Sequence, residues 1–285
     1  MNNGSKNQFK LCAFADEAGN TLTEQIAALQ GNGIGLLEIR GVDEGNISAI
    51  TVPIAKRIRE RLDEAGIGVW SIGSPSGKIQ ITDDFAPHLE NFKRQIEFAN
   101  VLGAKHYRMF SFYGCEAASP GVRDEVMERL GGFLHAAAGS GVILCHENEK
   151  GIYGEMAAGC LDIHKTLPQM RAVFDPANFI QAEQDVLEAW EMLSPYIEYM
   201  HIKDARANGE VVPAGEGIGH VDELLRKFME LGGSVLTLEP HLAVFEGLEK
   251  LEGEARSKIG SNVYPSKRAA FDAASNALKT LLDRI

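Results

Sequence analysis

The stretch VILCHE (residues 142–147) is a largely apolar run that ends in a side chain able to bind a metal ion, and the same pattern recurs three times further along the chain. AVFD ends at Asp175, YMH ends at His201 and VLTLE ends at Glu239. Short apolar runs rich in branched residues are typical of strands that are buried on both faces. The four segments therefore predict successive buried strands, each of which ends in a side chain that can bind a metal ion.

The rest of the chain repeats this alternation of short apolar runs with longer segments of helical periodicity. Such alternation is typical of βα units that build a parallel sheet. We predict eight strands, at Lys10–Ala15, Leu36–Arg40, Gly68–Gly73, His106–Phe112, Val142–Glu147, Arg171–Asp175, Tyr199–Lys203 and Ser234–Glu239. The predicted helices are Thr21–Asn32, Val52–Ala65, Ala86–Leu102, Arg123–Ala138, Val186–Leu193, Val221–Leu231 and Ser266–Leu282.

Eight βα units in 285 residues predict an α/β protein with a single (β/α)8 barrel domain over residues 1–285. We expect a polar lead at residues 1–8 and a long loop after strand eight at residues 242–267. Glycines such as Gly66 and Gly232 stand where two helices should end in a left-handed turn before the next strand.

In such a barrel all C-terminal strand ends open on one rim, so Glu147, Asp175, His201 and Glu239 should meet there. Taken one at a time, each acid also fits a helix N-cap or a salt bridge. The C-terminal strand ends would form a partly desolvated cup, in which three carboxylates repel one another. A divalent cation bound there would compensate their negative charges. Oxygen ligands with one imidazole suit Mn²⁺, Mg²⁺ or Co²⁺, with Zn²⁺ as a further alternative, and composition does not choose among them. We expect Mn²⁺ first and no organic cofactor.

Five short segments carry a resemblance that covers nearly the whole chain: LCHEN (144–148), FDPAN (174–178), HIKDA (201–205), PAGEG (213–217) and LEPH (238–241). In order and spacing they resemble the sugar isomerase/epimerase superfamily of xylose isomerase-like TIM barrels. Its relatives include ketose 3-epimerases, inosose dehydratases and repair nucleases of the endonuclease IV type. The resemblance implies that Glu147, Asp175, His201 and Glu239 bind the metal, and that Glu147 and Glu239 also form the catalytic proton-transfer pair.

The function that this resemblance implies is a metal-dependent isomerase or epimerase of a small sugar or sugar derivative. Two carboxylates on opposite faces of a metal-stabilised enediolate can remove and return a proton. An inosose-type dehydratase, a lyase, would use the same metal site and expel a hydroxyl. The remote alternative is a repair nuclease, which needs further histidines from strands two to four; Ser71, Met109 and Ser111 stand there instead. A barrel that has lost its chemistry is disfavoured by the intact set of ligands.

Six further residues are candidates for substrate binding: Lys203, Asn178, Arg40, Arg108, Glu216 and His241. The lysine follows the histidine ligand by two positions, and the asparagine stands where some members of the superfamily have a histidine that touches substrate. Either arginine could bind a substrate carboxylate or phosphate in a bidentate contact. The glutamate belongs to the glycine-rich PAGEG loop, and the histidine follows the last ligand closely.

The amino-acid composition limits the binding partners and the cellular compartment that we expect. Forty acidic and 28 basic residues give a formal charge of −12, which repels nucleic acid and anionic membranes. The four cysteines form no CxxC pair, and we expect reduced, packed thiols. We predict a cytoplasmic protein with a small carbohydrate substrate, no nucleic-acid or membrane partner, and either a monomeric or a homo-oligomeric state.

Overall fold

Eight parallel strands close into a barrel in the computed structural model, which describes residues 9–43, 45–115, 120–243, 258–259 and 264–285. Around the barrel each strand pairs with its neighbours in chain order, and the first strand pairs with the last. This arrangement confirms the predicted (β/α)8 fold. The strands are β1 (Lys10–Ala13), β2 (Leu36–Ile39), β3 (Gly68–Gly73), β4 (His106–Met109), β5 (Ile143–Glu147), β6 (Arg171–Phe174), β7 (Ile197–Ile202) and β8 (Val235–Leu238).

The described residues also form nine α-helices, which surround the barrel. They are α1 (Leu22–Gly31), α2 (Val52–Glu64), α3 (Phe85–Leu102), α4 (Pro120–Ala137), α5 (Ala157–Thr166), α6 (Pro176–Gln181), α7 (Val186–Leu193), α8 (Val221–Glu230) and α9 (Lys267–Leu282). Short 3₁₀ turns lie at Ala15–Glu17, Ile47–Ala49 and Ser194–Tyr196. Helices α5 and α6 were not predicted; the six residues of α6 are too few for a clear helical period.

Local sequence signals start and end several helices. Thr21 and Glu24 form a reciprocal capping box at the start of α1, and Asp84 accepts a hydrogen bond from the backbone of the first turn of α3. Gly66 and Gly232 have φ values of 70° and 81°, so both adopt the predicted left-handed conformation after their helices. These signals fix the lengths of the βα units and hence the positions of the strand ends.

The strand ends differ from the prediction where the backbone turns out of the barrel. Strand β4 ends at Met109 rather than Phe112, because Phe112 has a φ of 69° and its N–H donates to the carbonyl of Gly77. Asp175 and Glu239 follow β6 and β8 directly instead of ending them.

A small second sheet lies beyond β7 and was not predicted. Asp204–Ala205 pairs antiparallel with Glu210–Val212, which pairs in parallel with Lys258–Ile259. That last strand falls inside the predicted loop at residues 242–267, most of which lies outside the described residues. The predicted polar lead at residues 1–8 also lies outside them.

The core has two layers, one inside the barrel and one between the barrel and its helices. The inner cluster contains Cys12, Cys145, Val173, Tyr199 and Val235, while the outer cluster holds most of the buried aliphatic and phenylalanine side chains. All four cysteines are described and are buried free thiols, as expected. Among the described residues, no helix is both long and apolar enough to span a bilayer.

Candidate metal centre

Four side chains from successive strand ends converge at the C-terminal rim of the barrel. Glu147 ends β5, Asp175 follows β6, His201 lies in β7 and Glu239 follows β8. One potential ligand atom from each lies within 4.8 Å of the others, and all four side chains are buried. The barrel geometry therefore places three carboxylates and one imidazole around a single point.

His201 is held between carboxylates on both of its ring nitrogens. Its Nδ1 lies 2.9 Å from Glu147 Oε1 and 3.4 Å from Glu239 Oε2, while its Nε2 lies 3.2 Å from Glu38 Oε2. Burial would lower the pKa of His201, but the charges of Glu147 and Glu38 outweigh burial and raise it well above its ordinary value. These two carboxylates thus favour the protonated form of the imidazole.

Glu38 fixes the orientation of that ring from beneath the cup. Its side chain is fully buried and also accepts a hydrogen bond of 2.8 Å from the Tyr199 hydroxyl. Burial alone would raise the pKa of Glu38, yet the charge and hydrogen bond of His201 lower it, so it stays ionised. With Nε2 anchored in this way, Nδ1 points towards Glu147 and Glu239, which is the usual arrangement behind a metal-binding histidine.

Lys203 supplies the second positive charge of the cup. Its Nζ lies 2.9 Å from Asp175 Oδ2 and 3.1 Å from Glu239 Oε2. Burial raises the pKa of Asp175 to about 7; Lys203 opposes the rise, and the charges of Glu239 and Glu147 add to it. The pKa of Glu239 lies well below its ordinary value, because the charge of Lys203 and contacts with both His241 and His201 outweigh burial.

Three observations indicate that these four side chains could bind a divalent cation. Three oxygen donors and one nitrogen donor suit a hard or borderline ion. Asp175 Oδ1 accepts from the backbone N–H of Asn178 at 3.0 Å, while Oδ2 accepts no hydrogen bond from the described residues and has only its ion pair with Lys203. Finally, the Glu38 contact leaves His201 Nδ1 as the nitrogen that faces the carboxylates.

A neighbouring cluster of Glu17, Glu239 and His241 also has ligand atoms within 4.8 Å of one another. Here Arg40 already supplies the cation, since its Nη2 lies 3.0 Å from Glu17 Oε1 and its Nη1 lies 3.1 Å from Glu239 Oε1. Burial raises the pKa of Glu17 to about 8 in spite of the opposing charge of Arg40. Arg40 also contacts Asp16, with Nε 2.9 Å from Oδ2.

The structure brings most of the other predicted site residues to the same cup. Arg108 Nε lies 3.2 Å from Glu147 Oε2, and Asn178 Nδ2 lies 3.4 Å from Glu147 Oε1. His241 has its Nε2 3.5 Å from Glu239 Oε1. Glu216, in contrast, is exposed on the PAGEG loop and does not line the cavity described below.

The side chain of Asp204 holds the PAGEG loop and the residues after it in place. Asp204 accepts hydrogen bonds of 2.9 to 3.0 Å from the backbone N–H groups of Gly215, Gly217 and Gly219. Any Cβ at Gly217 would lie 2.3 Å from this carboxylate, so the close approach requires glycine. The Asp204 position in HIKDA therefore serves loop structure.

A small polar cavity opens above the candidate ligands. It is lined by Arg40, Lys78, Arg108, Phe110, Glu147, Glu149, Lys203, Glu239 and His241. Sequence reasoning missed Lys78, Phe110 and Glu149. Lys78 belongs to a βα loop, Phe110 follows a strand end and Glu149 stands two residues after Glu147, so proximity to strand ends was the signal that could have found them.

The chain is similar to one family model and to several solved structures. A family model described as xylose isomerase-like TIM barrel matches residues 26–258. The probable 3-DHS dehydratase AsbF from Bacillus anthracis has a TM-score of 0.74 at 18% identity, over 98% of this chain and 100% of that chain. An L-ribulose 3-epimerase has a TM-score of 0.75 at 19% identity, over 97% of this chain and 95% of that chain. The IolI protein with a bound zinc atom has a TM-score of 0.74 at 16% identity, over 96% and 98%.

At such identities the similarity to solved structures shows the fold alone. A comparison with proteins of curated function gave no significant match. The family model, however, spans most of the barrel, including all four of the strand ends that form the cup. The chain therefore belongs to the xylose isomerase-like TIM barrel family.

Proposed function

We propose that the protein is a divalent-metal-dependent isomerase or epimerase of a small sugar or sugar derivative. The observation that carries the proposal is the convergence of Glu147, Asp175, His201 and Glu239 within 4.8 Å beside a small polar cavity. When bound there, a divalent ion would act as a Lewis acid towards substrate oxygens and stabilise negative charge on them. The four residues would hold the ion, and the rest of the cup would orient the sugar.

Glu147 and Glu239 are suited to move the proton. Each has one oxygen near His201, while its other oxygen faces a guanidinium, that of Arg108 for Glu147 and that of Arg40 for Glu239. The ionised carboxylate is the form that can accept a proton from carbon. Because the two residues come from β5 and from the end of β8, they approach the cup from different sides.

The stereochemical outcome follows from which carboxylate returns the proton. If Glu147 removes a proton and Glu239 delivers one to the opposite face, or the reverse, the carbon is epimerised. Return of the proton to the adjacent carbon gives an isomerase. Lys203, which contacts both Asp175 and Glu239, would hold a substrate oxygen near the same carbon.

Manganese is the metal that we propose first, because three carboxylate donors and one imidazole suit a borderline ion with a preference for oxygen. Zinc is the second candidate, supported by the zinc atom bound in the IolI structure. A calorimetric titration of metal-free protein with each ion would rank them, and equal binding by a variant with Asp175→Asn and His201→Gln would refute this site.

A dehydratase is the second candidate function, favoured by the structural similarity to the 3-DHS dehydratase. The same carboxylate would remove a proton next to a carbonyl, and a hydroxyl one carbon further would then leave as water. Arg108, Lys203 and His241 line the cavity and could assist its departure. Both functions begin with the same proton abstraction.

The test is to incubate metal-loaded protein in D₂O with ketoses, aldoses, inososes and their acids and phosphates, and to follow the products by NMR. Carbon-bound deuterium in a new epimer or isomer is the expected result, whereas loss of water would support the dehydratase. Glu239→Gln should abolish exchange while the circular dichroism spectrum is retained. Unchanged exchange in that variant would refute the assigned proton-transfer role.

A further inference from the structure

A backbone amide of the loop after β3 donates a hydrogen bond to a histidine ring. The N–H of Gly77 lies 2.8 Å from Nε2 of His88, which belongs to the first turns of α3. Because a backbone N–H can only donate, Nε2 must accept, and the ring is neutral with its proton on Nδ1. Protonation of the imidazole would therefore remove this acceptor.

The same loop carries a side chain into the wall of the cavity. Lys78 follows Gly77 directly, and its Nζ lies 3.0 Å from Glu149 Oε2 and 4.2 Å from the centroid of the Phe110 ring. Lys78 and Glu149 both line the cavity above the candidate ligands. The position of the Gly77 backbone thus determines where this ion pair stands in the wall.

The other side of the loop is bonded to the segment after β4. The N–H of Phe110 donates to the Ser76 carbonyl at 2.8 Å, and the N–H of Phe112 donates to the Gly77 carbonyl at 2.9 Å. Gly77 has a φ of 88°, and a Cβ there would lie 2.0 Å from the Phe110 carbonyl oxygen. Residue 77 is therefore attached through its carbonyl to this segment and through its N–H to α3, and His88 provides the second attachment.

Aromatic rings hold His88 in position. The centroid of its ring lies 6.5 Å from that of Phe85 and 5.8 Å from that of Phe133. Such neighbours fix the orientation of the imidazole and remove part of it from water, which disfavours its charged form. The first turns of a helix also disfavour a cation, because the N-terminal end of the helix dipole is positive.

The charged groups around His88 act on the ring in opposite directions. Burial lowers the pKa of His88; the charge of Arg129 on α4 lowers it further, and the charge of Asp83 before α3 opposes both. Arg129 is itself paired with Glu125 at 2.6 Å, and the loop contributes Lys78, which is paired as described above. At neutral pH the ring is thus kept in the form that accepts from the loop.

Protonation would place a second donor, Nε2–H, opposite the Gly77 N–H, and two donors at this distance repel each other. We propose that His88 is a positioning residue, which holds the loop with Lys78 against the cavity while its ring is neutral and releases that loop when the ring is protonated. The proposal rests on the proposed function in so far as the cavity is where substrate binds. His88 lies on α3, outside the set of proposed metal ligands.

The direct test is an NMR titration of the full-length protein from about pH 8 to about pH 5. The amide proton of Gly77 and the ring protons of His88 should titrate together, with a midpoint below the ordinary value of about 6.5. Hydrogen exchange at the Gly77 amide, expressed as a protection factor, should become about tenfold less protected as the ring is protonated, because one hydrogen bond is lost.

Variants test the same bond at neutral pH, without acid. His88→Phe keeps an aromatic ring but removes the acceptor, so protection of the Gly77 amide should fall about tenfold. His88→Gln supplies a side-chain oxygen that can accept at every pH, so it should keep protection within about threefold and abolish the pH dependence. His135→Phe makes the first change at an exposed position in the last turn of α4 and should have no effect.

Steady-state kinetics connect the loop with the site, using the substrate that shows exchange in D₂O. His88→Phe should raise KM at least about threefold and leave kcat within about twofold, because the loop belongs to the cavity wall and not to the proton-transfer pair. As pH falls, the KM of the wild type should rise relative to that of His88→Gln. Titration of the proposed metal ligands is common to both proteins and cancels in this ratio.

Three outcomes would overturn the proposal: a Gly77 amide that does not follow the titration of the ring, unchanged protection in His88→Phe, or an equal loss in His88→Gln and His88→Phe, which would reduce the ring to a packing role. If acid unfolds the protein before the ring titrates, the variants at neutral pH decide. The proposed function fails separately, since absence of exchange on every sugar leaves the NMR result unchanged. Exchange with a KM that His88→Phe does not alter would support the function and refute the effect of the loop on binding.

Discussion

Replacing Glu38 by glutamine should weaken the binding of a divalent metal ion, although Glu38 is not one of the proposed ligands. Its carboxylate receives hydrogen bonds from His201 Nε2 at 3.2 Å and from the Tyr199 hydroxyl at 2.8 Å, and it is fully buried. Glutamine has the same shape but no charge, so it would hold the imidazole less firmly and make Nδ1 a weaker donor.

The expected magnitude follows from the position of Glu38 directly behind one of four ligands. Loss of such an outer contact usually costs about 10- to 100-fold in metal affinity, or about 1.4 to 2.8 kcal/mol. The assay is competition between the protein and a chromophoric chelator for Mn²⁺ or Zn²⁺ at neutral pH, with a thermal unfolding curve to show that the variant is folded.

The barrel offers a control in a second pair of histidine and glutamate, in which His106 is buried and Glu198 is partly exposed. His106 Nε2 lies 3.0 Å from Glu198 Oε1, and Glu198 also contacts Arg171. Glu198→Gln makes the same chemical change away from the candidate ligands and should leave metal affinity unchanged. If Glu38→Gln binds metal within about twofold of the wild type, or no more weakly than Glu198→Gln, the proposed orientation of His201 is wrong.

Further predictions address activity and stability. Removal of metal by a chelator should abolish turnover, and Mn²⁺ should restore it; full activity in chelator would exclude a metal-dependent reaction. Lys203→Met should lower kcat at least about tenfold, which steady-state kinetics would test, because one charge-assisted contact is lost. Burial lowers the pKa of His164 to about 4 in the folded protein. As pH falls below about 6.5, the unfolded chain therefore binds a proton at His164 that the folded protein does not yet bind. The free energy of unfolding should drop by up to about 3 kcal/mol by pH 4. Urea unfolding should show a smaller drop for His164→Gln. Gly77→Ala should lower the free energy of unfolding by at least about 2 kcal/mol, since the added Cβ would meet the Phe110 carbonyl. Gly33→Ala should lower it by only about 1 kcal/mol, because Gly33 has a φ of 61° but its Cβ would lie in open space.

The fold was predictable because its signals are local. Each buried strand is a short apolar run, and helices such as α1 and α3 carry caps at their first turn. The predicted strand ends were less accurate, as at Phe112. This residue adopts a left-handed conformation and donates a hydrogen bond to Gly77, and both features depend on a loop that is distant in the sequence. The small sheet at Glu210–Val212 was missed since it is built from segments only two or three residues long.

The chemistry of the proposed ligands is also local, since each stands at or directly after a strand end, and the closure of a barrel brings strand ends together. The sequence by itself therefore determined the barrel and the residues expected at its rim. It determined neither which side chains support that rim nor which charges face the cavity.

Those features were decided by the tertiary structure. Glu38 meets His201 across 163 positions of sequence, and Lys78 meets Glu149 across 71. Whether such side chains meet depends on barrel closure, on the direction of each Cβ and on the course of the loops, none of which is written in a local pattern. Arg40 is the clearest case: its place at the end of strand two is visible in the sequence, but only the folded chain pairs it with Asp16, Glu17 and Glu239, because a buried guanidinium must be paired with carboxylates.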